Sequence, residues 1–140
     1  MSAGPIEYRR GNELDLEQVI ELYHASTLGA RRPADDRARM RDMLAHANLV
    51  FSAWDGPLLV GISRTLADFA FVAYLADLAV RESHQRQGIG RELIRLTRHA
   101  LHPQATLVLL SAPAAVDYYP RVGMSRHPQA FVLKPGDPIV

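Results

Sequence analysis

The stretch VRESHQRQGIGR, from Val80 to Arg91, marks a change from strand to helix in the second half of this sequence. A long apolar run ends there, a polar turn follows, and a helical pattern begins at two glycines, Gly88 and Gly90. The first N–H groups of a helix have no partner within it, and the helix dipole favours an anion beside them. Glycine lets a phosphate approach the backbone, and Arg86 and Arg91 add cationic donors. The stretch predicts a phosphate-binding turn, although a tight turn that only packs the helix on the strand fits the same glycines.

Two common nucleotide-binding motifs do not match this turn. The dinucleotide motif G-x-G-x-x-G requires a third glycine where this chain has Leu93. The phosphate-binding loop of nucleotide hydrolases requires Gly-Lys-Ser or Gly-Lys-Thr, whereas Gly90 is followed by Arg91 and Glu92. Nucleotide-binding domains of both types are therefore excluded.

Hydrophobic periodicity and turn residues divide the chain into strands and helices. The predicted strands are Ile6–Arg10, Leu49–Trp54, Leu58–Thr65, Phe69–Val80, Thr106–Ser111 and Phe131–Lys134. The predicted helices are Leu16–Ser26, Asp35–Ala47, Gly88–Leu101 and a short helix that has Pro113 in its first turn and ends at Gly123. The order β-α-α-β-β-β-α-β-α-β indicates an α/β fold with hairpins first and a parallel strand–helix–strand crossover later. We expect a mixed, twisted β-sheet with helices on both faces.

Local signals mark several boundaries in this order. Asp15 can cap the first helix, with Gln18 three residues later as its capping-box partner. The pair at residues 55–56, Asp-Gly, predicts a hairpin turn, and residues 66–68 predict another turn. The apolar run over residues 69–80 is typical of a strand buried on both faces at the centre of a sheet.

Length and composition are those of an ordinary globular chain. Its 140 residues fit one domain over residues 1–140, with 48% hydrophobic and 22% charged residues. The net charge of +1 argues against a nucleic-acid binder, which needs a strong basic excess. No apolar run approaches the roughly 20 residues of a membrane span, and residues 1–10 lack a signal-peptide core. Because the chain has no cysteine, it has no disulfide or thiolate zinc site, and a reducing, cytoplasmic setting is expected.

The sequence resembles the GNAT superfamily of N-acetyltransferases at two separated motifs. Gln85-x-x-Gly88-x-Gly90 matches the family's Arg/Gln-x-x-Gly-x-Gly/Ala. The segment AVDYYPRVGM, residues 115–124, is similar to the family's Ala-x-x-Phe/Tyr-Tyr-x-x-x-Gly-Phe. Two departures are Ala112, where many members have Asn, and Met124, where Phe is usual. The resemblance spans nearly the whole chain and implies one GNAT domain that uses acetyl-CoA.

The resemblance also implies which residues bind the cofactor. In this family the glycine turn binds the pyrophosphate of coenzyme A through its backbone amides. The preceding strand, here residues 77–80, opens the sheet at a bulge, and its main chain pairs with the pantetheine arm. The implied cofactor-binding residues are Leu78, Ala79, Val80, Gln85, Arg86, Gln87, Gly88, Ile89, Gly90, Arg91 and Tyr119.

Two residues are candidates for proton transfer. Tyr119 matches the family tyrosine that lies near the coenzyme sulfur, and a phenol with a pKa of about 10 can protonate the leaving thiolate. Its alternative role is packing on a short helix. Asp77, in a long apolar strand, can act as general base through a water if burial raises its pKa. The alternative is that Asp77 accepts hydrogen bonds from backbone N–H groups or from an arginine. With no cysteine to carry the acetyl group, we expect direct attack by the amine in a ternary complex.

The acceptor is predicted from the region after the first helix, which often shapes the acceptor site in this family. Its candidate substrate-binding residues are Tyr23, His24, Arg31 and Arg32, and a solvated surface loop is the alternative. The near-zero net charge and the arginine pair favour a small-molecule primary amine that carries a carboxylate or phosphate. We expect no nucleic acid, membrane or metal partner, and a homodimer stays open.

A second hypothesis is a non-catalytic sensor module that binds acyl-CoA. It would use the same glycine turn and central strand as the enzyme. Tyr119 distinguishes the two hypotheses, since a binding module has no use for an acid at the sulfur.

Overall fold

A computed structural model describes residues 5–140. Residues 1–4 lie outside the described residues. They are part of the predicted domain 1–140 and of residues 1–10, where no signal peptide is expected. The described chain divides into two compact units, one ending at Leu110 and the other running from Ser111 to Val140. In the described part of the chain, no helix has the length and apolar character needed to cross a membrane.

The first unit is a five-stranded mixed sheet with helices. Its strands are β1 (Glu7–Arg10), β2 (Leu49–Asp55), β3 (Leu58–Ala67), β4 (Val72–Val80) and β5 (Thr106–Val108). Its helices are α1 (Leu16–His24), α2 (Arg37–Ala45) and α3 (Ile89–His99), with 3₁₀ turns at Thr27–Arg31 and Glu82–His84. The strands lie in chain order, the first four antiparallel and β5 parallel to β4. The predicted mixed α/β fold, with a parallel crossover through α3, is confirmed.

Helices cover both faces of this sheet, and each face has its own apolar core. On one face, α1 and α2 pack against β2 and β3 through a cluster that includes Val19, Leu22, Met40, Leu44, Val50, Leu59 and Ile62. On the other face, α3 packs against the strands through a cluster that includes Phe51, Val60, Ala73, Ile89 and Leu93. The two faces are called below the α1/α2 face and the α3 face.

Strand β4 contains a bulge at Ala76. Arg64 of β3 pairs with Asp77, but the next residue of β3, Thr65, pairs with Leu75. Ala76 is therefore one extra residue on β4, which is the definition of a β-bulge. The structure thus has a bulge immediately before residues 77–80, where the family resemblance implied that the sheet opens.

The bulge decides which way Asp77 points. Side chains alternate along a strand, so Ala73 and Ala79 would lie on the same face of a regular β4. Instead, Ala73 belongs to the core of the α3 face and Ala79 to the core of the α1/α2 face. The extra residue at Ala76 accounts for the change. It brings the carboxylate of Asp77 to the α1/α2 face rather than into the apolar core under α3.

The first two helices begin in different ways. Asp15 is extended before α1, but its side chain makes no capping hydrogen bond, and Gln18 Nε2 donates instead to the carbonyl of Pro57 at 3.5 Å. The predicted capping box is therefore wrong, because Gln18 binds the neighbouring hairpin. Asp36 does cap α2, accepting from the N–H of Arg39 at 3.2 Å.

The predicted strand over residues 69–80 begins three residues later, at Val72. The carboxylate of Asp68 accepts from the N–H groups of Ala70, Phe71 and Val72 at 2.7–3.0 Å, and this turn removes the first residues from the ladder. The residues of β4 alternate between buried and more exposed positions. Both faces of β4 contribute to a core, through Ala73 on one face and Ala79 on the other, but the strand is not buried on both faces along its whole length, because Val72 and Tyr74 are exposed.

The second unit contains a 3₁₀ turn at Pro113–Ala115 and the short helix α4 (Tyr118–Arg121). The chain leaves α4 through Gly123, whose φ of +99° is in the region that favours glycine. The predicted last strand, Phe131–Lys134, is wrong, since no strand forms there in the described chain. Instead, Lys134 N donates to Asp137 Oδ2 and Asp137 N donates to the carbonyl of Lys134, which closes a turn at the end of the apolar run. Apolar residues favour a strand only when a ladder partner is present.

Candidate functional site

The turn between β4 and α3 has two residues in the left-handed region. Arg86 has a φ of +64° and Gly88 a φ of +83°, and Gly88 is the N-cap of α3. No side chain caps this helix end. The backbone N–H groups at the start of α3 are therefore available to an anion. In a turn that alternates between right- and left-handed residues, successive N–H groups also form a concave site that can bind an anion.

The backbone conformation at position 88 favours glycine, and the space in front of this residue is open. A Cβ built at this position meets no atom within 4 Å. A side chain there would be strained by the positive φ and would occupy the space in front of the helix end. The residues present thus fit a bound phosphate.

Packing under α3 determines where this helix end lies. Gly61 of β3 faces α3, and a Cβ there would lie 3.0 Å from Ile89 Cγ2 and 3.2 Å from Leu93 Cδ1. The missing side chain lets the first turn of α3 approach the sheet closely. Gln85 adds a second restraint, because its Nε2 donates to the carbonyl of Val80 at 3.1 Å.

The sheet is open beside this turn. Strands β4 and β5 pair only from Val72 to Tyr74, opposite Thr106 to Val108. Beyond Tyr74, Leu78, Ala79 and Val80 still pair with β3 but have no ladder partner on the β5 side within the described residues of the first unit. Apart from the Val80 carbonyl, which accepts from Gln85, the backbone groups of this segment that point away from β3 have no ladder partner on β5 and suit pairing with an extended ligand.

Asp77 is the centre of a buried polar network on the α1/α2 face. Its side chain is 0% exposed. Its Oδ1 accepts from Arg32 Nε at 2.6 Å, and its Oδ2 accepts from Arg64 Nε and from the hydroxyl of Tyr23, both at 2.6 Å. Arg32 also donates from Nη2 to the carbonyl of Ala76 at 2.9 Å. Two cations and a phenol thus satisfy one carboxylate, the arrangement that a buried charge needs.

This network lowers the pKa of Asp77. Burial alone would raise that pKa, but the hydrogen bonds from Arg64 and Tyr23 and the charges of Arg64 and Arg32 outweigh it. Burial raises the pKa of the Tyr23 hydroxyl, and the charge of Asp77 raises it further. The expectation of a raised pKa at Asp77 is therefore wrong, because the effect of its donors exceeds that of burial. The structure shows the alternative, a carboxylate that accepts hydrogen bonds from arginine.

The four predicted acceptor residues do not form one site. Tyr23 is buried and, like Arg32, contacts Asp77. His24 is half-exposed, and its Nε2 lies 3.1 Å from Asp35 Oδ1. The side chain of Arg31 is exposed, and within residues 5–140 no hydrogen bond or ion pair engages its guanidinium. Only Arg31 of the arginine pair has its guanidinium available to a ligand.

Tyr119 lies in the first turn of α4, in the second unit. Its ring and that of Tyr118 meet edge to face, with centroids 5.2 Å apart. The carbonyl of Tyr119 accepts from the N–H groups of Val122 and Met124 at 3.1 and 3.0 Å, which closes the helix around Gly123. The motif over residues 115–124 thus folds locally as a capped helical turn.

A comparison with known families decides the assignment. The family described as "Acetyltransferase (GNAT) domain" matches residues 20–133, a range that includes both motifs and parts of both units. The chain belongs to the GNAT acetyltransferase family.

Individual relatives agree with this membership. An uncharacterized N-acetyltransferase (ycf52-like) of Prochlorococcus marinus is 25% identical over 122 residues, covering 83% of this chain but only 64% of that protein. A GNAT family acetyltransferase from Streptococcus pneumoniae is 27% identical, with a TM-score of 0.70 over 86% of this chain and 88% of that one. The aminoglycoside N-acetyltransferase AAC(6')-Iy, solved in complex with CoA, is 16% identical, with a TM-score of 0.70 over 96% of each chain. The last likeness concerns the fold alone.

Sequence reasoning missed Arg64 as a member of the GNAT domain's polar network. Arg64 is the one charged residue of the largely apolar strand β3, just as Asp77 is the one charged residue of β4, and this pattern is visible in the sequence. The pairing of Arg64 with Asp77 could not be read from the sequence, because it depends on the register of β3 and β4 beside the bulge.

Proposed function

We propose that this chain transfers an acetyl group from acetyl-CoA to a primary amine by direct attack in a ternary complex. One observation carries the proposal: an uncapped helix end behind a left-handed glycine lies next to strand β4, which beyond Tyr74 pairs with β3 but not with β5. The first feature suits the pyrophosphate of the cofactor, and the second suits its extended arm. Acetyl-CoA would supply the activated acetyl thioester, and the remaining chemistry belongs to residues of this chain.

Backbone groups hold the cofactor in this proposal. The amides of residues 85–91 bind the pyrophosphate, and Arg86 and Arg91 add charge at the rim. The main chain of Leu78, Ala79 and Val80 pairs with the pantetheine arm. A backbone N–H of this strand also stabilises the oxyanion that develops as the amine attacks.

Tyr119 is proposed as the acid that protonates the leaving thiolate. The support is its place in the family motif and the local fold of α4, which begins at Tyr118. A phenol stays protonated at neutral pH and can donate its proton in the transition state.

Asp77 is proposed as a structural carboxylate and not as the base. A carboxylate with a lowered pKa and three donors on its two oxygens is a poor proton acceptor. The attacking amine is then deprotonated by solvent water. This step needs no side chain from the network around Asp77.

The acceptor is proposed to be a small molecule. A relative of the same fold is an aminoglycoside N-acetyltransferase, so the fold accommodates small polar amines. In this chain Arg31, exposed at the end of the Thr27–Arg31 turn, is the candidate contact for a carboxylate or phosphate on the acceptor.

The experiment has two stages. Calorimetric titration with CoA tests the cofactor site, and release of free thiol from acetyl-CoA with a panel of amines tests turnover. Binding with amine-dependent thiol release is the expected result. Binding without turnover on any amine would favour the sensor hypothesis, and no binding would overturn the assignment of the cofactor site.

A further inference from the structure

The guanidinium of Arg32 holds both residues at the bulge of β4. Its Nε donates to the carboxylate of Asp77 at 2.6 Å, and its Nη2 donates to the carbonyl of Ala76 at 2.9 Å. Ala76 is the extra residue of the bulge. A planar guanidinium can hold two acceptors in one fixed geometry, which an ammonium cannot do. Arg32 therefore links the segment after the Thr27–Arg31 turn to the one irregular point of β4.

We propose that Arg32 is a positioning residue that maintains the bulge of β4, and through it the path of residues 78–80, instead of a ligand for the acceptor. The inference rests on the proposed function, in which the main chain of residues 78–80 contacts the cofactor. Arg32 lies in the loop from which acceptor contacts are predicted, but the inference gives it a role in binding the cofactor.

The nitrogen atoms of Arg32 are already engaged. In addition to its contacts with Asp77 and Ala76, its Nη1 donates to the carbonyl of Arg31 at 2.9 Å. The side chain is only 21% exposed. An anionic acceptor at Arg32 would have to compete with the carboxylate of Asp77. That carboxylate is fully buried, so water could not replace Arg32 as its hydrogen-bond partner. Arg32 is thus unsuited to bind and release an acceptor in each turnover.

Losing Arg32 would affect the bulge more than the charge balance of Asp77. Arg64 and Tyr23 would still donate to Asp77 Oδ2, so the carboxylate would keep a cationic partner. The carbonyl of Ala76 would lose the donor that Arg32 supplies. A bulge that closes shifts every following residue by one position and exchanges the two faces of the strand. Residues 78–80 would then present different backbone groups to the cofactor.

The first test is titration of CoA, without acceptor, into the wild type and Arg32→Ala, with folding checked by circular dichroism. We expect the CoA dissociation constant to rise about tenfold, the size of effect that follows loss of a charge-assisted hydrogen bond. The matched control is Arg37→Ala, which removes another ion-paired arginine, one that contacts Glu17 on the surface, and should leave the CoA affinity unchanged. An unchanged CoA affinity in Arg32→Ala, with a raised KM for the acceptor alone, would overturn the proposal.

A double-mutant cycle and a conservative variant make the test specific. Arg32→Ala and Asp77→Asn should be strongly non-additive in CoA affinity, because both break the same link. Arg32→Lys keeps the charge beside Asp77 but cannot reproduce both contacts, so the CoA affinity should still fall severalfold. If Arg32→Ala does not fold, the lysine variant decides, and wild-type affinity in that variant would overturn the proposal.

A measurement without cofactor separates this inference from the proposed function. Amide hydrogen exchange over residues 74–80 should be faster in Arg32→Ala and Arg32→Lys than in the wild type and Arg37→Ala. Failure of the wild type to bind CoA would overturn the proposed function and leave this readout intact. Unchanged exchange over 74–80 in both Arg32 variants would overturn the role of Arg32 in maintaining the bulge.

Discussion

His84 Nε2 lies 2.8 Å from Asp55 Oδ2, and this contact joins the 3₁₀ turn ahead of the glycine turn to the end of β2. On the other side of the ring, Ser83 Oγ lies 2.7 Å from His84 Nδ1. Both ring nitrogens of His84 are thus engaged, one by a carboxylate and the other by a hydroxyl, which fixes the orientation of the ring. The side chains of His84 and Asp55 are mostly buried, at 16% and 17% exposed.

Replacing Asp55 with Ala should loosen the segment that leads into the glycine turn. We expect the free energy of unfolding to fall by about 1 kcal/mol, because a partly buried hydrogen bond is lost. CoA binding should weaken as well. Urea denaturation and calorimetry measure the two effects, and Asp42→Ala on the exposed face of α2 is the control. Stability equal to that of the control variant would show that the contact does not restrain the segment.

Gly88→Asp should weaken CoA binding by at least about 2 kcal/mol, or roughly 30-fold. The change adds a Cβ at a φ of +83° and a negative charge where the pyrophosphate is proposed to bind. Gly136→Asp is a close match in backbone terms, with a φ of +86° and no atom within 4 Å of its Cβ. Gly136→Asp should introduce the same local backbone strain without changing the affinity for CoA. Equal CoA affinities in the two variants would contradict the placement of the pyrophosphate.

Tyr119→Phe should lower kcat by about 10- to 10⁴-fold, the range for loss of a general acid. The CoA dissociation constant should change little, because only the hydroxyl is removed. Thiol release under saturating substrates gives kcat, and Tyr118→Phe, the neighbouring residue on α4, is the matched control. Full activity in Tyr119→Phe would assign the proton to water or another group.

The network around Asp77 should make stability depend on acidic pH. Because the pKa of Asp77 is lowered in the fold, its contribution is complete above the unfolded value of about 3.9 and is lost as the pH falls through the folded value. Asp77→Asn should destabilise the protein by about 3 kcal/mol at pH 7, since it leaves the largely buried guanidinium groups of Arg32 and Arg64 without their anion. This difference should be constant from pH 7 to about 5 and shrink below about pH 4.

Denaturation curves of the wild type and Asp77→Asn between pH 3 and 7 test this prediction. A second readout concerns catalysis. If Asp77 is not the base, the pH profile of kcat in Asp77→Asn should keep its wild-type shape, even if its height changes. If the fall of kcat at low pH disappears in Asp77→Asn together with most of the activity, Asp77 is restored as the base.

Arg31→Ala should raise KM for acceptors that carry a carboxylate or phosphate. An exposed guanidinium that binds such a group contributes about 1 kcal/mol, so an increase of severalfold is expected. The CoA affinity and the KM for polyamine acceptors should not change. Steady-state kinetics with one amino acid and one polyamine make the comparison, and a uniform effect on both acceptors would remove Arg31 from the acceptor site.

The contrast between Gly88 and Phe131 shows where sequence reasoning succeeds. The glycine turn is predictable because its signal is local. An apolar run, a polar turn and two glycines that open a helical pattern follow one another in the chain, and the structure places a left-handed glycine and an uncapped helix end there. The apolar run at Phe131–Lys134 gave an equally clear local signal but forms no strand in the described chain. A strand needs a partner, and partners are chosen by the rest of the fold.

Local pattern by itself determined the element order of the sheet and its helices, the hairpin after Asp55, the glycine turn before α3 and the two motifs that mark the GNAT family. These features depend on neighbours within a few residues, where steric preference and hydrophobic periodicity act directly.

Only the tertiary structure decided the partners of Asp77. One extra residue at Ala76 reverses the faces of β4, so that the carboxylate meets Tyr23, Arg32 and Arg64, which come from three other segments of the chain. Whether a buried carboxylate becomes a base or an anchor depends on which donors surround it. That choice follows from strand register and helix packing, which join residues as far apart as Arg32 and Asp77.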